Sequence, residues 1–192
     1  MANLCMVSYR CEGKKEQLDE LNGVLKQLKG NRIAVVENDW GNLWLGCIIE
    51  RLGGDWHDYR CRGAVTDFGF EKDGTLFIEQ ATAWCEQEGF RGFLEQRFPE
   101  VVVFYRQLES SLGYFSTNDA EGRCFSERFA LESHEGIHYF VTLEEAAEYV
   151  SDWLGARVVP DVEAICDALE EYSEVQGNAD EGHCVFLRCD LI

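Results

Sequence analysis

The chain has 192 residues, 46% of them hydrophobic and 12% aromatic, and a formal net charge of −19. That length and apolar content suit a packed domain rather than a disordered or fibrous chain. The charge opposes direct binding to nucleic-acid phosphate or anionic lipid, and no stretch approaches the ~20 apolar residues needed to span a bilayer.

In chain order, residues 3–11 (NLCMVSYRC) alternate apolar and polar positions, which predicts a first strand. Leu18, Leu21, Leu25 and Leu28 then mark the apolar stripe of a helix over 14–29, with Gly30-Asn31 to stop it. RIAVV at 32–36 reads as a short strand, and 42–52 as a helix ended by Gly53-Gly54. Residues 58–70 and 75–81 read as a hairpin around Glu71-Lys72-Asp73-Gly74, because an Asp-Gly pair suits a tight turn. Thr82 is placed to cap a helix carrying Trp84, Phe90, Phe93 and Leu94, stopped by Phe98-Pro99. The β-branched run at 101–108 reads as a buried strand. This order is that of a split βαβ unit.

Beyond it, 112–117 and 123–131 read as a second hairpin across Asn118-Asp119-Ala120-Glu121-Gly122, with a shorter strand at 137–141. Thr142-Leu143-Glu144-Glu145 is a T-x-x-E capping box opening a helix to about Leu154, with Gly155 beyond it. Pro160-Asp161 opens another helix to about Val175, and 183–187 reads as a last strand. The expected fold is α+β. It is a ferredoxin-like split βαβ antiparallel sheet with helices on one face, extended by a C-terminal β-hairpin and two acidic helices. The expected organisation is one domain over 1–192, with a core at 1–110 and an acidic extension at 111–192 packed on it.

Several short pieces resemble the YubB-like, ferredoxin-fold proteins of plasmids, phages and bacterial genomes, a family of uncharacterised function. They are Asn3 and Cys5 leading to Gly13, Trp40-Gly41-Asn42 with Trp44, Thr82-Ala83-Trp84, Phe98-Pro99, and the Gly113-Tyr114, Asn118-Asp119, Gly122 run. Together they cover roughly residues 3–131. Leu4 stands where the family commonly has a tryptophan. The resemblance implies the ferredoxin-like fold and a mobile-element setting. It implies no iron–sulfur cluster, since no C-x₂-C spacing is present.

The charge is uneven. Residues 111–192 carry 4 Lys/Arg against 18 Asp/Glu, a balance of −14. Glu145, Glu148 and Asp152, and then Asp167, Glu170 and Glu174, recur at three- and four-residue spacing. On a helix such carboxylates stand about 5–6 Å apart, a row that approximates the charge of a phosphate backbone and suits a basic protein surface. An ordinary solvated helix face has the same pattern. A second set, Arg60, Arg62, Trp40 and Trp44, suits a ligand on an open sheet face, with Arg60 and Arg62 on one side of a strand. Core tryptophans and paired arginines are the plainer reading.

Asn118, Asp119 and Glu121 do not meet a Ca²⁺-loop template and read as a turn. Zinc sites usually pair ligands as C-x₂₋₄-C or place H-x₃-H on a helix. His134 and His138 have that spacing, but with Gly136 between them they read as a turn entering a strand. His57 with Cys61 and His183 with Cys184 form no such pair. No G-x-S-x-G and no phosphate loop occurs. The nine cysteines are odd in number and scattered, which reads as reduced residues packed in a core. With MANLCMVSYRCEGKK unlike a signal peptide, the expected location is the cytoplasm. The expected function is that of a non-enzymatic interaction or regulatory protein facing a basic protein partner. No cofactor, metal, membrane or direct nucleic-acid partner is expected. The alternative is a small-molecule-binding domain or unrecognised enzyme using the open sheet face.

Overall fold

The alternating opening segment forms β1 (Leu4–Gly13), whose Cys5, Val7, Tyr9 and Cys11 are buried while Leu4 and Met6, on either side of Cys5, are exposed. This is the computed structural model of the chain, and it describes residues 3–176 and 184–192. The chain is α+β and divides into two compact units, Met1–Glu109 and Ser110–Ile192.

In the first unit β1 is followed by α1 (Lys15–Gly30) and α2 (Leu45–Arg51), then by β2 (Gly63–Phe70), β3 (Leu76–Ala83), α3 (Glu88–Arg97) and β4 (Val101–Glu109). The strands lie in the order β2-β3-β1-β4. β1 is antiparallel to both β3 and β4, with Tyr9 opposite Ile78 on one side and Tyr105 on the other. The three helices bury Leu21 and Leu25, Ile48 and Ile49, and Phe90 and Leu94 in one core with the inward residues of the sheet. Each such side chain contributes roughly 1.5–3 kcal/mol on burial, an upper figure because the unfolded chain is not fully extended. The β2–β3 turn closes as its sequence predicts: Gly74 has φ +93, and the Asp73 carboxylate accepts from Thr75 N at 3.0 Å.

Three expectations fail in this unit. Residues 32–36 form no strand, and Ile33 is 83% exposed. The outer edge of β2 is met instead by Leu43 and Trp44, through the Trp44–Ala64 bridge and Val65 N donating to Leu43 O at 3.0 Å. Residues 58–62 are not part of β2. Trp56–Asp58 is a 3₁₀ turn and the strand begins at Gly63, so Arg60 and Arg62 share no strand face. Thr82 does not cap a helix. Pairing of β3 with β1 continues through Leu4 opposite Ala83, and Thr82 Oγ1 donates to the carbonyls of Cys85 at 2.8 Å and Cys5 at 3.4 Å. The chain turns at Trp84, whose φ is +74, and α3 starts at Glu88.

In the second unit come β5 (Tyr114–Thr117), β6 (Phe129–Ser133), β7 (Gly136–Phe140), α4 (Leu143–Leu154), α5 (Val162–Gln176), β8 (Val185–Arg188) and β9 (Asp190–Leu191). β6 is the centre of a three-stranded antiparallel sheet, order β7-β6-β8. Leu131, Phe140, Ala146, Val150, Ile165, Leu169 and Phe186 form its core with α4 and α5.

The expected hairpin between 112–117 and 123–131 is not there. β5 pairs in parallel with β9, and β6 forms its hairpin with β7. The cause is Asp119, whose carboxylate accepts from the backbone N–H of Arg123, Cys124 and Phe125 at 3.0, 2.6 and 2.8 Å. Those amides are thereby taken from any ladder. His183, the first residue of the expected last strand, lies outside the described residues.

Candidate functional site

The acidic row is built by two well-defined helices. Thr142 Oγ1 accepts from Glu145 N, and the Glu145 carboxylate accepts from the N–H of Thr142 and Val141, at 3.2, 3.4 and 2.9 Å. Gly155, at φ +65, ends α4 in the left-handed cap. Asp161 Oδ1 accepts from Glu163 N and Ala164 N to start α5. The amphipathic pattern then turns Ala146, Ala147, Val150, Ile165 and Leu169 inward.

Glu145, Glu148, Asp152, Asp167, Glu170 and Glu174 are all exposed. Glu145 is committed to the cap, so five of the six are free to face outward. Neither helix contains a Lys or Arg, and among the described residues none of these five carboxylates has an ion-pair partner. Asp152 and Glu174 stand in the last turns of α4 and α5, where the helix dipole favours a cation.

The arginine and tryptophan set separates. Trp44 is buried, its indole N–H donates to Cys61 O, and its ring packs edge-on against Trp56 at 4.9 Å. Trp40 is 40% exposed. Arg60 and Arg62 are exposed, and both line a cleft of about 510 Å³. On one side of the cleft run Asp58, Tyr59, Arg60 and Arg62. On the other run Ala83 to Gly89, from the end of β3 to the first turn of α3. The two sides are tied: Ala83 N donates to Arg62 O at 2.7 Å and Arg62 N to Gln87 Oε1 at 3.2 Å. This is not the open sheet face that the strand reading implied.

Beneath the cleft is a polar network that sequence reasoning did not find. Glu86 is 8% exposed and accepts from the Tyr9 hydroxyl and from Arg91 Nε at 3.2 Å. The Arg91 guanidinium lies over the Tyr105 ring at 5.2 Å. Burial pushes the Glu86 carboxyl above its ordinary range, with Tyr9 and Arg91 offsetting part of the effect. Burial and the neighbouring Glu86 push the Tyr9 hydroxyl well up. In so acidic a chain nothing local distinguishes Glu86 from a surface glutamate.

The other candidates are occupied by structural work. Asp119 is 1% exposed and holds the turn described above. His138 Nε2 lies 3.0 Å from the Tyr149 hydroxyl, and the His134 ring packs near Trp153. Among the described residues no three His, Cys, Asp or Glu side chains converge as metal ligands. None of the nine cysteines is joined in a disulfide. Cys5, Cys11, Cys47, Cys61 and Cys189 are buried, and Cys85 is exposed at the cleft. No helix among the described residues is long and apolar enough to cross a membrane. Comparison with protein-family models, with curated proteins and with solved structures yields no match to this chain.

Proposed function

We propose that the protein is a non-enzymatic interaction or regulatory protein whose α4 and α5 present an acidic surface to a basic protein partner. One observation carries the reading: two successive helices hold nine carboxylates, no Lys and no Arg. Like charges three and four residues apart repel by a few tenths of a kcal/mol per pair, and acids in a last turn oppose the helix dipole. Solubility alone is served as well by mixed charge. An arrangement that costs stability in this way supports a surface whose negative charge is used.

The reading includes a ferredoxin-like fold for the first unit, supported by the order β2-β3-β1-β4 with neighbouring strands antiparallel. It includes kinship with the YubB-like proteins, supported by the short pieces of sequence quoted above. Work in the cytoplasm is supported by nine cysteines, none of them in a disulfide.

The test is affinity capture from native lysate across a salt series. The full chain is compared with a variant carrying Glu148→Lys, Asp152→Lys, Asp167→Lys, Glu170→Lys and Glu174→Lys. Glu145 is spared because its reversal would break the cap. A basic protein retained at low salt, released steeply with rising salt and lost with the variant is expected. Equal capture by both chains overturns the reading.

A further inference from the structure

The cleft at Arg60 and Arg62 lies in the first unit, away in sequence from the acidic helices, and it is lined by charges of both signs. Arg60 and Arg62 are exposed, and among the described residues neither has an ion-pair partner. Unpaired guanidinium groups lining a concavity are strong hydrogen-bond donors to a carboxylate. Asp58 and Glu88, exposed and likewise without a cation, stand on the same walls. Glu86 also lines the cleft but is committed to Tyr9 and Arg91.

The walls are close and preformed. A Cβ placed on Gly89 would lie 3.6 Å from Tyr59 Cδ1 and 4.0 Å from Arg60 N, so the 59–60 segment runs beside the first turn of α3. The hydrogen bonds from Ala83 and Arg62 clamp one wall to the other. α3 has no side-chain cap, and the N–H groups of Glu88 and Gly89 have no acceptor among the described residues. Trp84 is the one non-glycine residue with positive φ among those described, and it lines the cleft while 39% exposed.

We propose that this cleft binds a small zwitterion of the α-amino-acid class, its carboxylate held by Arg60 and Arg62 and its ammonium by Asp58 and Glu88. The amides of Glu88 and Gly89 add donors on the carboxylate side. Tyr59, Ala83 and Trp84 offer the apolar and aromatic wall for a side chain. A polyanion such as a nucleotide fits poorly, because three carboxylates line the walls and the whole chain is strongly negative. A simple cation is opposed by the two arginines. A cleft of about 510 Å³ lies in the usual range for small-ligand sites.

The experiment is isothermal titration of the full chain with L-α-amino acids, first as a mixture and then singly. Each amino acid that binds is compared with its N-acetyl derivative and with the amine lacking its carboxylate. Saturable binding is expected for at least one amino acid, weakened about tenfold or more in both analogues. Arg60→Gln with Arg62→Gln, and separately Asp58→Asn with Glu88→Gln, are expected to weaken it by a similar factor while leaving the circular dichroism spectrum unchanged. Absence of binding at about 10 mM of every amino acid overturns the proposal. So does an N-acetyl derivative or an amine that binds as tightly as its parent. The analogue arms use the unaltered chain, so they decide the matter even if a variant fails to fold. The lysine reversals on α4 and α5 are not expected to change this binding, so the cleft and the acidic surface stand or fall separately.

Discussion

Glu86 in the first unit and Asp119 in the second are both almost sealed from solvent, at 8% and 1% exposure, yet their surroundings treat the negative charge oppositely. Burial dominates at Glu86, where one hydroxyl and one guanidinium N–H face the carboxylate, and its pKa is raised. At Asp119 burial pushes the same way. There it is outweighed by backbone N–H groups of Phe125, Cys124 and Arg123, with Arg128 adding to them, and the carboxyl is held below its ordinary range. The contrast teaches that fixed donors, more than depth, decide whether a buried carboxylate is comfortable as an anion.

The surfaces differ in the same sense. The first unit pairs Arg10 with Glu71 and Glu79 at 2.8 and 2.9 Å, Lys14 with Glu100 at 3.3 Å, and Arg97 with Glu20. The acids of α4 and α5 have no such partners among the described residues.

The largest expected effect is at the buried network. Glu86→Ala leaves the Tyr9 hydroxyl and Arg91 without their acceptor and is expected to lower stability in urea by about 3 kcal/mol. A loss under about 1 kcal/mol would mean that solvent reaches this network freely. Next, Asp119→Ala orphans three backbone N–H groups and is expected to cost about 2 kcal/mol, read from the same denaturation curves. Thr142→Ala removes half of the capping box and should cost about 1 kcal/mol, visible as reduced helicity and a lower thermal midpoint. The smallest effect has the opposite sign. Glu174→Lys places a cation in the last turn of α5 and is expected to stabilise by about 0.5 kcal/mol. A loss of stability there would show that the acid is held by a contact rather than tolerated.

The two carboxylates also predict opposite pH responses. A raised folded-state pKa means that the native protein binds more protons than the unfolded chain between the ordinary glutamate value and the raised one. Glu86 therefore costs stability as pH rises through that window. A lowered folded-state pKa means the reverse for Asp119. Its contribution is present above the ordinary aspartate value and is lost as pH falls through the lowered one. Measured against Glu86→Gln, the wild-type chain should lose relative stability with rising pH, and against Asp119→Asn with falling pH. Parallel profiles for the two variants would erase the distinction.

Much of the candidate acidic site was legible, because it depends on spacing within single helices: the T-x-x-E box and the row of acids at three- and four-residue spacing. Less of the cleft was legible. Arg60 and Arg62 were singled out from the residues alone, but on a strand face that does not exist. Tyr59 and Cys61 alternate with Arg60 and Arg62 as in a strand, whereas the chain breaks at Asp58 and enters the sheet only at Gly63. Thr82 misled in the opposite way. It suits both a helix cap and a strand, and the partner strand decided between them by pairing as far as Ala83.

The sequence by itself determined the elements whose signals repeat every two or four residues: β1, α1, the β2–β3 hairpin with its Asp73-Gly74 turn, β4, and the caps of α4 and α5. It also determined where the negative charge would gather. Only the tertiary structure decided that β5 joins β9 rather than β6, and that Asp119, in the turn its sequence predicts, is buried to 1% exposure. It also decided that Glu86, 77 residues from Tyr9, is buried against its hydroxyl beneath a cleft edged by two free arginines. The physical reason is range. A helix stripe or a cap is set by neighbours along the chain, whereas the burial of a polar group and its supply of donors depend on residues that only folding brings together.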